Sequence, residues 1–367
     1  MKGAADTSAI CMKKIVMTGG GTAGHVTPNL ALIPHLREEG FEISYIGSID
    51  GMEKKLVEDY GIPYYGVPTG KLRRYFDLKN LTDPLRVLRG IREARKILKE
   101  LDPDIIFSKG GFVAVPVVRA ASMLHIPVIT HESDMTPGLA NRLCIPMASC
   151  VCCNFPETMN HLPADKAVLT GTPIRAELFS GSRERGFAFT GLTDEKPVIL
   201  VVGGSLGAQA VNEAVRAALP ELLKTWSVVH LTGKGKLDTS FEGVEGYIQY
   251  EYIKEELPDL FAMADIVISR AGANAICEIE ALAKPNILIP LPAKASRGDQ
   301  ILNAESFEKQ GFSVVLPEET VTPAVLVDAV QKLYENRDVY IKAMKESPQG
   351  DSAALIMKLI NNYRLHR

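Results

Sequence analysis

The chain has 367 residues, of which 46% are hydrophobic and 23% charged, as expected for a globular protein of about two domains. Its 41 basic and 44 acidic residues give a net charge of −3, which argues against nucleic acid as a partner. Six cysteines are too few for a disulfide framework at this length, so a reducing, cytoplasmic compartment is expected. Residues 1–12 lack the apolar core of a signal peptide and are expected to be a disordered extension.

The first predicted elements are a strand, a glycine turn and a helix. KKIVMT (13–18) is an apolar strand, GGGTAG (19–24) is the turn, and Thr27 and Pro28 suit the N-cap and first position of the helix. The same order returns half a chain later, where PVILVV (197–202) precedes GGSLGA (203–208) and a helical run. Two similar α/β halves are therefore predicted.

Each half continues with apolar, β-branched runs that alternate with helical patterns, as is typical of parallel strands covered on both faces. The predicted strands lie at 41–47, 104–108 and 127–132 in the first half and at 227–233, 265–270 and 286–291 in the second. The predicted fold class is α/β, with two Rossmann-like, doubly wound parallel-sheet domains that bind ligands at the carboxyl ends of the strands. The boundary is expected within 176–196, and a helix over about 338–365 is expected to cross back onto the first domain.

The glycine turns indicate anion binding. Gly19, Gly21 and Gly24 satisfy the G-x-G-x-x-G pattern, whose usual ligand is a dinucleotide. An acidic residue should then end the second strand, but that strand ends at Gly47 and Ser48, which disfavours NAD. Backbone N–H groups at a helix start still favour a phosphate, and the alternative is that both turns are only tight connections.

Polar residues near these turns are candidate site residues. His25 directly follows the first turn and could act as a general base, or it could be a capping or core residue. Glu278, in SRAGANAICEIEAL (269–282), could accept the ribose hydroxyls of a nucleotide or be an ordinary helix charge. Gln300 and Asn303, three residues apart, could bind sugar hydroxyls or form a polar helix face.

Motifs for other chemistries are missing or misplaced. The sequence has no Walker P-loop, no H-E-x-x-H and no G-x-S-x-G. The CVCC run at 150–153 lacks a second pair at zinc-site spacing and is predicted to hold buried thiols in a strand. Asp102-Pro103-Asp104 precedes its strand, whereas a cation-holding D-x-D follows one, so it is predicted to be a turn. A metal-free mechanism, with cationic side chains and helix dipoles neutralising a diphosphate, fits better.

Residues 70–100 form a basic segment, with ten Lys or Arg and four Asp or Glu. Leu85, Leu88, Ile91, Ala94 and Leu98 recur at helical spacing and predict an amphipathic helix packed on its own sheet. The adjacent basic and aromatic residues of 71–79 instead indicate contact with an anionic membrane surface.

Six motifs together identify a family. In order they are GGGTAGHVTPNLAL, HESDMTPGLANRL, TGTPIR, GGSLGAQ, SRAGANAICE and SRGDQILNA. They resemble the peptidoglycan N-acetylglucosaminyltransferases, most closely a Gram-positive, Bacillus-like branch, over about residues 13–360. The resemblance implies the GT-B arrangement, with an acceptor and membrane-facing domain at 13–175, a UDP-GlcNAc domain at 176–337, a returning helix at 338–367 and the active site in the cleft.

The resemblance also implies the activity. It is inverting, metal-independent transfer of N-acetylglucosamine from UDP-GlcNAc to the C4 hydroxyl of the MurNAc of lipid I, which is undecaprenyl-diphospho-MurNAc-pentapeptide. The products are lipid II and UDP, and no cofactor is needed. The implied partners are UDP-GlcNAc, lipid I, an anionic membrane surface and cell-wall assembly proteins, and the implied location is peripheral, on the cytoplasmic face of the cell membrane.

The family's site residues carry over position by position. The implied catalytic residues are His25 and Asp134, with the base left open between them because other members carry asparagine in place of Asp134. The implied UDP-GlcNAc contacts are Thr22, Ala23, Gly24, Arg175, Ser205, Ile253, Ala273, Asn274, Glu278, Gln300 and Asn303. The implied acceptor-diphosphate contacts are Gly20, Gly21, Thr22 and Gly24, and the implied membrane contacts are Lys71, Leu72, Arg73, Arg74, Tyr75 and Phe76.

Three alternatives stay open at the level of sequence. A GT-B enzyme with another lipid acceptor would share the donor residues but should differ in its first domain. A UDP-GlcNAc 2-epimerase would have acid–base residues around the donor sugar and no lipid-facing segment. The third alternative is a nucleotide-sugar-binding module without activity.

Overall fold

The computed structural model describes residues 12–70, 83–204, 207–294, 298–347 and 351–365. These ranges contain two parallel sheets surrounded by helices. The strands are β1 (Lys13–Thr18), β2 (Phe41–Ser48), β3 (Tyr64–Val67), β4 (Ile105–Ser108), β5 (Val128–Glu132), β6 (Cys150–Cys153), β7 (Ala167–Leu169), β8 (Val198–Val202), β9 (Ser227–Leu231), β10 (Tyr247–Tyr250), β11 (Ile266–Ser269), β12 (Asn286–Leu288) and β13 (Val314–Val315). The helices are α1 (Thr27–Glu38), α2 (Glu53–Glu58), α3 (Asp83–Leu101), α4 (Ala114–Met123), α5 (Leu139–Cys144), α6 (Arg183–Thr190), α7 (Gln209–Leu222), α8 (Leu257–Met263), α9 (Ala273–Ala281), α10 (Asp299–Lys309), α11 (Pro323–Glu335), α12 (Arg337–Lys345) and α13 (Ser352–Arg364).

The two sheets have the same topology. The first has the order β3-β2-β1-β4-β5-β6-β7 and the second β10-β9-β8-β11-β12-β13, and the paired strands run parallel. The strand order reverses between β1 and β4 in the first sheet and between β8 and β11 in the second. Ligands of doubly wound folds bind at such reversal points. The predicted fold class is confirmed, and both glycine turns follow the strand beside a reversal point.

The strands predicted from apolar runs are all present, with shifts of at most three residues at their ends. The CVCC run forms β6, and its cysteines are buried free thiols, as predicted. The prediction of Thr27 as an N-cap is wrong by one residue. Val26 already has helical backbone angles and its carbonyl accepts from the N–H of Leu30, so the helix includes Thr27.

Each sheet has an apolar cluster on both faces, as a doubly wound domain requires. In the first domain, one cluster includes Leu36 of α1 and Ile356 of α13, and the other includes Leu98 of α3. In the second domain, α7 and α11 cover one face and α8 covers the other. These clusters make each sheet the centre of its own core.

Helix α3 is amphipathic, but only its second half packs on the sheet. Ala94 and Leu98 are fully buried, as predicted. Leu85 and Leu88 are 68% and 61% exposed, so the prediction that they pack on the sheet is wrong. The helix extends past the edge of the domain core at its first turns, and their apolar side chains face outward.

A further apolar cluster joins the two domains. Met135 and Phe155 of the first domain pack with Ile276 of α9 and Phe307 of α10. The rings of Phe155 and Phe307 meet edge to face with centroids 6.0 Å apart. This cluster fixes the two sheets against each other along one side of the cleft.

The chain passes between the domains before residue 176 and again after α12. The segment 176–196 is not an irregular boundary, because it contains α6, which packs against α8 of the second domain. The tail is not one returning helix: α12 packs against α9 of the second domain, and α13 lies on α1 and β4 of the first.

Candidate active site between the two domains

The first glycine turn presents His25 at the start of α1. A short 3-10 helix at Ala23–His25 links the turn to α1, with the N–H of His25 donating to the carbonyl of Thr22 at 3.1 Å. The Thr22 hydroxyl lies 3.0 Å from Nδ1 of the histidine. This contact orients the imidazole, so the ring is held at the carboxyl edge of β1 as predicted.

A buried carboxylate lies behind this turn. Glu53 of α2 is fully buried, and it accepts from the N–H of Gly21 at 3.3 Å and from the N–H of Ser48 at 2.9 Å. The Ser48 hydroxyl donates to the same carboxylate. Burial alone would raise the pKa of Glu53, but the hydrogen bonds from Ser48 and Gly21 together outweigh burial and lower it. The Gly21 N–H is therefore engaged by an ionised side chain rather than left open for a diphosphate.

A cavity of about 590 Å³ opens beside Gly21. Its lining includes Ser48 and Asp50, which follow β2, and Arg86 and Arg89 of α3. Guanidinium groups bind phosphate oxygens through paired N–H donors. Among the residues that the structure describes, the cationic groups that line this cavity thus come from α3, a source that the glycine motif did not indicate.

The two domains touch through the first glycine turn. The side-chain amide of Asn274, at the start of α9, donates to the carbonyl of Gly24 at 3.0 Å. A Cβ atom at Gly24 would lie 2.8 Å from that amide nitrogen, so glycine permits the approach. The Oδ1 atom of Asn274 is buried and accepts no hydrogen bond from the residues that the structure describes. The turn that carries His25 therefore faces the start of α9 directly.

Arg175 and Glu278 form an ion pair beside this contact. The Nη2 and Oε1 atoms are 3.4 Å apart, and both side chains are mostly buried. Burial raises the pKa of Glu278, and the guanidinium partly opposes this. The Nε donor of Arg175 is buried and has no acceptor within the described part of the chain. An anion beside Arg175 would satisfy that donor, which fits the predicted role in phosphate binding.

The remaining predicted donor residues have structural contacts. Oε1 of Gln300 accepts from the N–H of Leu291 at 3.0 Å, which orients the side chain and leaves its amide nitrogen for a sugar. Asn303 is buried and donates to the carbonyl of Ala271 at 3.1 Å, so it supports the turn before α9. Ile253 packs at the edge of the apolar cluster under α8.

A buried lysine lies beneath the cleft. Nζ of Lys109, directly after β4, lies 2.6 Å from Nδ1 of His131, 2.7 Å from Oγ of Ser133 and 3.2 Å from Oγ1 of Thr172. We call these four residues the lysine cluster. Burial lowers the pKa of Lys109 to about 7, although the carboxylate of Glu132 opposes this. Burial and the nearby lysine charge together lower the pKa of His131, which is therefore a neutral imidazole.

The loop after β5 is held by Glu132. Its carboxylate accepts from the N–H of Asp134 at 2.9 Å, from the N–H of Gly138 at 3.0 Å and from the amide of Asn141 at 2.8 Å. Met135 in the same loop enters the interdomain apolar cluster. The loop that carries Asp134 is thus held at both ends by one carboxylate.

Family models match both halves of this architecture. The N-terminal domain model of glycosyltransferase family 28 matches residues 15–153, and the C-terminal domain model matches residues 198–360. The chain belongs to glycosyltransferase family 28.

Relatives of this family 28 chain match over their whole length. It is 64% identical over 354 residues to the UDP-N-acetylglucosamine--N-acetylmuramyl-(pentapeptide) pyrophosphoryl-undecaprenol N-acetylglucosamine transferase of Lachnoclostridium phytofermentans, covering 96% of this chain and 100% of the relative. The crystal structure of MurG from Acinetobacter baumannii superposes with a TM-score of 0.75 at 28% identity, covering 95% of this chain and 99% of that one. A UDP-GlcNAc 2-epimerase from Neisseria meningitidis has a TM-score of 0.69 at 15% identity, with 96% and 100% covered, and shares the fold alone.

Several predictions concern residues beyond those described. Ser205 and the membrane segment Lys71, Leu72, Arg73, Arg74, Tyr75 and Phe76 lie outside the described residues. The described helices include none that is long and apolar enough to cross a membrane. Asp104 accepts from the N–H of Lys14 at 2.7 Å at the amino end of β4, so the D-x-D is a turn as predicted.

Proposed function

We propose that this family 28 chain transfers N-acetylglucosamine from UDP-GlcNAc to the C4 hydroxyl of the MurNAc of lipid I, giving lipid II and UDP. The observation that carries the proposal is the hydrogen bond between Asn274 and Gly24. It sets the start of α9, with Arg175 and Glu278 nearby, against the turn that holds His25. The printed names of the full-length relatives support this donor and this acceptor.

The donor binds on the second domain. Arg175 leaves its ion pair with Glu278 and pairs with the diphosphate, while Glu278 accepts the ribose hydroxyls. The N-terminal end of α9, at Ala273 and Asn274, adds backbone donors and a favourable dipole for the charge that develops on UDP. Gln300 binds a sugar hydroxyl through its amide nitrogen, and Ser205 contacts the diphosphate.

The acceptor binds on the first domain. Because Glu53 occupies the Gly21 N–H, the lipid-linked diphosphate takes donors from Gly20, Thr22 and Gly24 and its counter-charge from Arg86 and Arg89. Binding in this cavity brings the muramyl sugar to the edge of the cleft beside His25. The exposed Leu85 and Leu88 on α3 add apolar side chains that contact the membrane.

The reaction is a single displacement at the anomeric carbon. The C4 oxygen of the acceptor forms a bond to C1 of the sugar as the bond from C1 to the UDP oxygen breaks, and UDP leaves on the opposite face. The hydroxyl proton passes to His25 or to Asp134, and the α-linked donor gives a β-linked product. Arg175 and the start of α9 stabilise the leaving diphosphate without requiring a metal ion. The location proposed is the cytoplasmic face of the cell membrane, where cell-wall assembly proteins are further proposed partners.

The test measures UDP release from UDP-GlcNAc in EDTA, with and without a short-chain lipid I analogue. Release that needs the analogue and persists in EDTA is expected. His25→Ala and Asp134→Asn identify the base, since the variant of the true base loses about 100-fold or more in kcat. His161→Ala, an exposed histidine of the first domain, is the matched control.

Other outcomes would replace the proposal. UDP release that does not depend on the analogue would refute transfer to lipid I. Formation of UDP-ManNAc from UDP-GlcNAc would favour the epimerase, whose fold this chain shares. Release with a diacylglycerol acceptor in place of the analogue would favour a glycosyltransferase of different specificity.

A further inference from the structure

The lysine cluster joins three segments that serve different substrates. Lys109 follows β4. His131 lies near the end of β5, and Ser133 begins the loop of Asp134. Thr172 lies in the connection that leads to Arg175. Lys109 is only 1% exposed and Thr172 only 3%, so water does not supply their hydrogen bonds. The proposed transfer assigns no role to Lys109.

The hydrogen bonds of the cluster define its protonation. Nε2 of His131 lies 2.8 Å from the carbonyl of Gly171, which can only accept, so this nitrogen carries the ring proton. Nδ1 of His131 must therefore present a lone pair to Lys109. With the two hydroxyl oxygens, Lys109 faces three acceptors, which match the three N–H donors of an ammonium group.

The backbone beside Lys109 forms the floor of the acceptor turn. The N–H of Lys109 donates to the carbonyl of Thr18 at 2.9 Å. A Cβ atom at Gly19 would lie 3.2 Å from Cβ of Lys109, so the lysine stem supports the turn from below. A shift of Lys109 would therefore move the acceptor turn, the Asp134 loop and the connection to Arg175 together.

We propose that Lys109 is a positioning residue for the transfer, whose ammonium group holds the Asp134 loop and the connection to Arg175 in register across the cleft. The proposal rests on the proposed function and extends it. Lys109 does not touch the reacting atoms, and it acts through Ser133 and Thr172.

The groups that face Lys109 give the transfer a pH dependence. His131 and Glu132 face it from β5, Asp134 from the following loop, Cys152 from β6 and Cys277 from α9. Both thiols stay neutral, since the pKa of each is raised well above its usual value, by the hydrogen bond with Cys150 and by burial for Cys152 and by burial for Cys277. Loss of the lysine proton removes one donor from the cluster, so kcat falls as the pH rises through about 7.

Two variants and a control test this role by UDP release with the lipid I analogue between pH 6 and pH 9. Lys109→Met keeps the chain length without the charge, and kcat is expected to fall by about 100-fold, the usual cost of misplaced reacting groups. The affinity for UDP, measured by calorimetry, should fall as well, because Thr172 and the connection to Arg175 lose the contact with Lys109. Lys284→Met removes a half-buried lysine, which donates to the carbonyls of Ala262 and Ala264 in the second domain, and should keep wild-type kcat.

Thr172→Val keeps the test decisive if Lys109→Met does not fold. It removes one acceptor from the ammonium, which disfavours the charged form, so the fall in kcat should move to lower pH by about one unit. An unchanged pH profile in Thr172→Val, or equal losses of kcat in Lys109→Met and Lys284→Met, would overturn the role of Lys109. An inactive wild-type protein would instead overturn the proposed function, and this role with it.

Discussion

A methyl group added at Gly24 would test the contact between the domains. In Gly24→Ala the new Cβ would lie 2.8 Å from Nδ2 of Asn274, closer than such atoms approach. The backbone of Gly24 is not in the left-handed region, so the substitution strains nothing locally. The end of the Asn274 side chain must turn away, and its hydrogen bond to the Gly24 carbonyl is lost.

The expected loss of kcat/KM follows from that one hydrogen bond between Asn274 and Gly24. A neutral hydrogen bond contributes about 0.5–1.5 kcal/mol, which corresponds to about a 2- to 12-fold loss in kcat/KM when it helps to close the cleft. The free energy of unfolding should change little, because each domain has its own core. The loss should therefore appear in catalysis and not in stability.

A double-mutant cycle separates this contact from a general disturbance. Asn274→Ala should lose a similar factor, and Gly24→Ala combined with Asn274→Ala should lose no more than Asn274→Ala alone. The assay is UDP release with the lipid I analogue, with urea unfolding measured in parallel. Gln331→Ala, which removes an exposed amide hydrogen bond to Glu335 on α11, is the control. Losses that add in the double mutant, or wild-type activity in Gly24→Ala, would refute the contact as a determinant of closure.

Three further substitutions test the buried carboxylates and the returning helix. Glu53→Gln replaces an acceptor of three N–H or O–H donors, so urea unfolding should show a loss of about 1–3 kcal/mol at pH 7. The folded-state pKa of Glu53 is lowered, so its contribution is present above the unfolded pKa of about 4.3 and is lost at lower pH; equal losses at pH 7 and pH 3 would contradict this. Glu278→Gln should raise KM for UDP-GlcNAc by roughly 10- to 150-fold, the range for hydrogen bonds to a charged group, and an unchanged KM would remove it from the ribose site. Ile360→Ala should lower the free energy of unfolding by about 2–5 kcal/mol because Ile360 is fully buried on the first domain, whereas Leu365→Ala, at a 70% exposed residue, should not.

The central strands could be predicted from sequence because each is a continuous apolar run buried on both faces. The strands that sequence analysis did not identify, β3, β7, β10 and β13, have two to four residues and are only partly buried. Such short strands are defined by pairing with a neighbour, which the local pattern does not encode. The exposure of Leu85 and Leu88 has a similar origin, since helical spacing does not say where the supporting sheet ends.

The site divides in the same way. Gly24, His25 and Glu278 belong to motifs, so their place in the cleft could be anticipated. Lys109 and Glu53 belong to none, because a buried charge depends on partners that are distant in sequence. A signal for Lys109 did exist: a lysine directly after a buried strand of a doubly wound sheet lies at the ligand edge.

The chain passes between the domains twice, and both passages lie at a distance from the contact between Gly24 and Asn274. Both passages border one cavity of about 490 Å³, where Thr172 and Ile174 from the first passage face Ser347 and Asp351 from the second. His35 of α1 and Glu280 of α9 line the same cavity, whereas the starts of these helices meet through Gly24 and Asn274. From residue 27 to residue 35, α1 rises by about 12 Å, which is the distance along the helix from the cleft to the cavity beside the two passages.

Over this distance, a small rotation of one domain about the two passages changes the separation of the domains at the cleft. A turn of about 10° around the paired passages displaces the far ends by about 2 Å, given the rise of an α-helix. That displacement breaks the bond of 3.0 Å between Asn274 and Gly24 while the side chains at the two passages barely separate. Such a rotation would leave both sheets and their own cores intact, but it would have to separate Phe155 from Phe307 in the apolar cluster between the domains.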